Sequence, residues 1–217
     1  MALGAIQLMH LADSALPVGG FAFSNGLEAA VKCGIISSCD ELERYLEGAV
    51  AQWMNFDRPF LRQFFHGVDV STLLRYDRMM PSPSMRKASF AQGRGWLRIV
   101  PGVFPSIDPA PFRTRMRDAG IGPHYVPLFA ETLAIAGASE EQAEELYLFT
   151  LLRDQSNAAI RLGLIGPSAA QALQSRLEHQ MQDRLAEETD GQPRRLTPLM
   201  DIAQMLQPSL YTKLFQN

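Results

Sequence analysis

The chain predicts an all-α fold, a single-domain helical bundle of roughly ten helices, and three observations carry that expectation. No window of useful length alternates polar and apolar residues with period two, and the Asn25-Gly26 pair runs into a helical pattern instead of joining two β-branched runs. Apolar residues recur three and four apart over long windows, as in Leu42, Tyr45, Leu46, Ala49, Val50 and Trp53. Helix-start signatures precede such windows: Ser38 with Glu41, Ser139 with Gln142 and Ser168 with Gln171. No repeat of fixed period is present, which favours a bundle over a solenoid.

Residues 3–12 form a first helix, with Leu3, Ile6 and Leu11 as its apolar positions. From Asp13 to Gly20 the chain must turn: Asp13 and Ser14 can bond nearby backbone, Pro17 fixes φ, and Gly19-Gly20 admit backbone closed to other residues. Of Phe21 and Phe23, at least one should be buried. Asn25 is the expected cap of a helix ending at Gly34, with Ser24 also read as a capping residue, and Ser38 opens the next helix, through Trp53. Asp57-Arg58-Pro59 reads as a cap and early-helix proline, opening a separate helix that Gly67 ends. A helix over 71–79 is broken by Pro81-Ser82-Pro83, and Ser84 is the expected cap of a helix through Ile99. Gly93 and Gly95 inside that helix imply close packing, most simply by another helix. Residues 101–111, with four prolines, form a loop, and helices follow over 111–119, 125–136, 139–164, 168–188 and a short one from Thr197-Pro198 to Pro208.

With 217 residues, 47% of them hydrophobic and 20% charged, the chain suffices for one well-filled core; residues 1–217 are read as one domain with 209–217 as a tail. A net charge of −3 argues against a general polyanion binder, so no nucleic acid is expected. The first residues lack a basic leader and no run approaches the ~20 apolar residues of a membrane span, so a cytoplasmic protein without a membrane partner is expected. Cys33 and Cys39 are too few for a disulfide framework. Walker, HExxH and GxSxG patterns are absent, and His10, His66, His124 and His179 are scattered, so no catalytic residue, metal ligand or cofactor is assigned.

Charge is unevenly spread. Nine cations lie between Arg75 and Arg117, including Arg86, Lys87, Arg94 and Arg98, whereas Glu131 to Glu145 is acidic. Such polarity suits oriented docking of protein partners or ordinary solvated helix faces. In a helix, Arg153, Asn157 and Arg161 share one side with Asp154 nearby, and a polar row on a buried helix must find partners, in this chain or in a second subunit. Leu210, Tyr211, Leu214 and Phe215 put four large apolar groups in the tail, where they need a surface to cover, their own core or another protein's.

Three segments also carry a likeness to a known family: ALPVGGFAFSNGLE near the start, RDQSNAAIRLGLIGP, and SLYTKLF at the end, with RKASFAQGRGWLRI as a less distinctive fourth. In this order and spacing they resemble the urease accessory protein UreF family, the middle segment being closer to the plant and fungal form. The resemblance implies an all-α homodimer that is not an enzyme. It implies a scaffold that joins a UreD/UreH-like accessory protein, recruits the nickel-carrying GTPase UreG, helps deliver nickel to apo-urease, and in some members regulates that GTPase. Candidate partner-binding residues are then Ser24, Glu28, Arg153, Asp154, Asn157, Arg161, Tyr211, Lys213, Leu214 and Phe215. Lys213 stands where the family usually has arginine and cannot supply a bidentate guanidinium contact; Asn217 replaces a smaller last residue. From the residues alone, a helical regulator with an unrelated partner, or a small helical enzyme with a dispersed site, stays open.

Overall fold

The computed structural model describes residues 3–186 and 191–216, and these contain α-helices, short 3-10 and π segments, and no strand. Eleven α-helices occur among the described residues. The chain packs as two compact units of interleaved segments, one from residues 1–20 and 60–147, the other from 21–59 and 148–217. No helix among the described residues is long and apolar enough to cross a membrane.

The first unit contains α1 (Ala5–Leu11), most of α4 (Arg58–His66), α5 (Val70–Arg78), α6 (Pro83–Val103), α7 (Ala110–Asp118), α8 (Tyr125–Ala136) and the opening turns of α9 (Glu140–Arg161). Leu3 and Leu11 are buried, but Ile6 points outward, because a helix this short buries only one narrow face. Asp69 caps α5 by accepting from the Thr72 amide at 3.0 Å. Ser82 caps α6, accepting from the Met85 amide at 3.1 Å, and so replaces Ser84: Pro83 is pre-set for the first helical position, which moves the start two residues back. At its other end α6 runs past Ile99 to Val103 with Pro101 inside its last turns, shortening the expected loop.

Gly93 and Gly95 are accounted for by loops instead of a helix. A Cβ on Gly93 would lie 1.8 Å from the Pro123 carbonyl oxygen, and one on Gly95 would lie 2.3 Å from that of Val18. The turn after α1 and the lead-in to α8 therefore lie directly on the α6 backbone, and Arg98 adds a hydrogen bond to the Pro17 carbonyl at 3.2 Å. Trp96, on the same helix, is buried and donates to the Thr132 hydroxyl of α8 at 3.2 Å.

Beneath this packing lies a polar centre. The fully buried His124 ring meets Asp77 Oδ1 through Nε2 at 3.0 Å and Ser89 Oγ through Nδ1 at 3.0 Å, and it sits against the rings of Tyr76 and Phe90. Ser89 Oγ also accepts from the Tyr125 amide at 3.2 Å, so this hydroxyl caps α8 from a neighbouring helix. Burial pushes the imidazole pKa down to about 4 against the pull of Asp77, leaving the ring neutral at pH 7.

The second unit contains α2 (Leu27–Lys32), α3 (Cys39–Gln52), the rest of α9, α10 (Pro167–Leu185) and α11 (Pro198–Leu206). Every apolar position expected on α3 is buried, and Ser38 accepts from the Glu41 amide at 3.3 Å. The expected break at Asp57 does not occur: α3 continues through a π turn, Trp53–Asp57, straight into α4. Pro59 offers no N–H to the Asn55 carbonyl four residues back, and the Arg194 amide supplies that bond instead, at 2.6 Å. Gly166 precedes α10 without a side-chain cap, Pro167 being its first residue, so Ser168 lies inside the helix. The expected end of that helix at Glu188 lies outside the described residues, as does Asn217.

Candidate functional site

All ten candidate residues belong to the second unit, and six of them meet around the C-terminal segment. The geometry begins at Asn25 and Gly26, which take left-handed backbone with φ of 50° and 90°. Gly26 suits both demands of this turn, since a Cβ there would stand 3.0 Å from the Gln204 amide nitrogen of α11. Asn25 is therefore not the cap; the buried Ser24 hydroxyl accepts the Glu28 amide at 3.3 Å instead.

Glu28, in the first turn of α2, is fully buried. Its carboxylate accepts from the Leu214 amide at 2.7 Å, the Phe215 amide at 3.2 Å and Gln207 Nε2 at 2.7 Å, and pairs with Lys32 Nζ at 2.8 Å. Burial opposes ionisation, but the bonds from Lys32, the two tail amides and Gln207 outweigh it and hold the carboxyl below its ordinary value. Lys32 Nζ also donates to the Thr212 carbonyl at 2.6 Å. One buried charge thus organises residues 207–215.

Arg161, at the end of α9, makes the second attachment. Its guanidinium lies over the Phe21 ring at 4.1 Å and over the Phe215 ring at 4.3 Å, and donates to the Phe21 carbonyl at 2.7 Å. Phe215 is buried and the Gln216 amide donates to the Ala22 carbonyl at 2.8 Å, so this end of the tail docks on its own chain. Tyr211 is fully exposed and Leu214 half-exposed. Lys213 donates to the Pro208 carbonyl at 3.0 Å, a local bond that a longer guanidinium fork is not needed to make.

The remaining candidates stand apart from this centre. Arg153 and Asp154 pair with each other at 2.9 and 2.6 Å, and burial raises the Asp154 pKa against the pull of Arg153. Asn157 is half-buried on the same helix. Between them Gln155 is fully buried with neither amide atom paired among the described residues, more polar burial than the motif alone suggested.

Residues outside the ten candidates complete the picture. Gln207 and Lys32 finish the Glu28 shell, and Phe21 completes the aromatic sandwich. Leu196, just before α11, and Leu199, Ile202 and Met205 along it recur every third residue and are each about half exposed, while Met200, Ala203 and Gln204 turn inward. The signal was present as an apolar stripe on both sides of this helix. Tyr211 and Leu214 of the same unit are exposed as well.

The UreF family model matches residues 36–178 of the 217. The chain belongs to the UreF family. It is 30% identical to "Urease accessory protein F" of Arabidopsis thaliana over 95% of this chain and 90% of that protein. A rice relative of the same name, from Oryza sativa subsp. japonica, is 31% identical over 95% of this chain and 82% of its own length. "Urease accessory protein UreF" of Paenarthrobacter aurescens is 30% identical over 76% and 75%. The Arg153–Arg161 row lies inside the residues matched by the UreF model, whereas the Ser24–Glu28 turn and the tail lie outside them.

Proposed function

We propose that this chain is a urease accessory protein that acts as a scaffold in nickel delivery to apo-urease, with no chemistry of its own. In this reading it works as a cytoplasmic homodimer, bridges a UreD/UreH-like protein and a UreG-like GTPase, and modulates that GTPase. Nickel is cargo here, and none of this chain's residues is assigned to hold it. Family membership and the names of the relatives support the urease connection. The single observation that supports a scaffold is the pairing of a tail fixed from within by Glu28 and Arg161 with an outward apolar row on α11, Tyr211 and Leu214. Anchored backbone presenting exposed aromatic and aliphatic groups is the arrangement that interface hot spots use, because little ordering entropy remains to be lost on binding.

The test is complementation in a ureolytic host lacking its own UreF. The chain should restore nickel-dependent urease activity and co-purify with the UreD/UreH-like and UreG-like proteins. Absence of both, with the protein soluble and helical, would reject the proposal.

A further inference from the structure

We propose that the outward face of α6 is a docking groove for an acidic, partly apolar segment of a partner protein. The proposal deepens the scaffold reading by giving the first unit a binding surface of its own, with a stated chemistry. An open groove of about 220 Å³ is lined by Pro83, Arg86, Lys87, Phe90 and Arg94, without a carboxylate among them. All five lie on one face of α6, and from Arg86 to Arg94 the cations span about 12 Å of helix at 1.5 Å per residue.

Lys87 and Arg94 are exposed and form no ion pair among the described residues. Arg86 is fixed in place: its Nε donates to Asp77 Oδ1 at 2.8 Å and its terminal nitrogen to the Asp77 carbonyl at 3.0 Å. Phe90 is equally immobile, with its ring 4.5 Å from that of His124 and against Gly122, where a Cβ would come within 2.7 Å of it. A rigid aromatic platform flanked by free cations is thus displayed by a protein whose net charge is −3.

The layout selects among anions. A phosphate group favours clustered backbone amides, but Pro83 has no N–H and the Ser82 hydroxyl occupies the Met85 amide. Cations strung along a helix, with an aromatic ring between Lys87 and Arg94, match spaced carboxylates flanking an apolar side chain. An acidic amphipathic segment has that pattern.

The probe is a fluorescein-labelled peptide alternating glutamate and leucine about a central tryptophan, followed by anisotropy against the full chain. Binding should weaken with added salt and fall about tenfold when Lys87→Glu and Arg94→Glu are combined, with circular dichroism unchanged; Arg113→Glu, on α7, should leave it unaltered. Equal binding by the double variant, or no binding by the wild type, would overturn the proposal. Displacement of the peptide by inorganic phosphate or by single-stranded RNA would reassign the groove to those ligands. A change in sedimentation of the double variant would assign it to a second copy. In the urease host, a double variant that activates urease fully rejects the groove and leaves the scaffold reading intact. A wild type that activates nothing rejects the scaffold reading, while the peptide measurement still decides the groove.

Discussion

Around Glu28 the chain buries a charge, and around His124 it buries a ring kept neutral. Glu28 accepts two backbone amides, a glutamine amide and a lysine, and three of those four donors come from the last residues of the chain. His124 has two partners, Asp77 and Ser89, both on the helices that pack around it, and its pKa is pushed down to about 4. A charge satisfied by a distant segment makes the position of that segment depend on the charge. A neutral ring bridging two helices stiffens them and makes their packing depend on pH. The first arrangement fixes where the tail lies; the second supports a core.

The largest expected effect comes from breaking the ionic centre. Glu28→Ala should cost about 4 kcal/mol, since it leaves Lys32, Gln207 and two tail amides without their acceptor. Urea denaturation measures the loss, and limited proteolysis should show cleavage in residues 207–216 before any other region. A stable variant with a protected tail would place the anchor elsewhere.

Next is the histidine. The unfolded ring, with its ordinary pKa of 6.5, binds a proton that the folded ring refuses until about pH 4, so the folded state should lose on the order of 3 kcal/mol as pH falls through that window. Asp77, held below its usual range because the bonds from His124 and Arg86 outweigh burial, adds a further loss below it. Stability should be flat from pH 7 up to the ordinary tyrosine range, where the buried Tyr45 resists ionisation, and His124→Gln should flatten the acid limb in a series of urea titrations.

Arg161→Lys separates charge from shape in the tail's second anchor. Lysine keeps the cation but loses the planar stack between Phe21 and Phe215, so a cost of about 1 kcal/mol is expected, and Arg161→Ala should cost about twice that. No loss for Arg161→Lys would show that the planar group contributes nothing, and equal losses for the two variants would show that the charge contributes nothing. The smallest effect belongs to the outward row. Leu199→Glu with Ile202→Glu should change the melting temperature by no more than a degree or two, because both side chains are half exposed.

Helices were legible where local chemistry decides them. Ser38 with Glu41 and Gly34 mark ends that the structure keeps, since caps and left-handed glycines act within a few residues. The misplaced breaks were decided at long range. Nothing near Pro59 announces that Arg194 will serve the Asn55 carbonyl, and Gly93 shows that something approaches without showing that it is the Pro123 loop. At the candidate site, the tail's apolar groups were visible, but their division into a buried Phe215 and exposed Tyr211 and Leu214 follows from Glu28, 187 residues before Phe215. Gln207 carried no local signal, and Phe21 was visible only as one of a pair of which Phe23 is the buried member, because each acts through a partner brought in by folding.

The most direct measurement is nickel-dependent urease activity in the host lacking its own UreF, with the Leu199→Glu, Ile202→Glu chain in place of the wild type. A folded variant with unchanged melting that no longer co-purifies with the UreD/UreH-like protein and leaves urease inactive is the expected result. Full activation and an intact complex would contradict the assignment of this surface, and with it the scaffold mechanism.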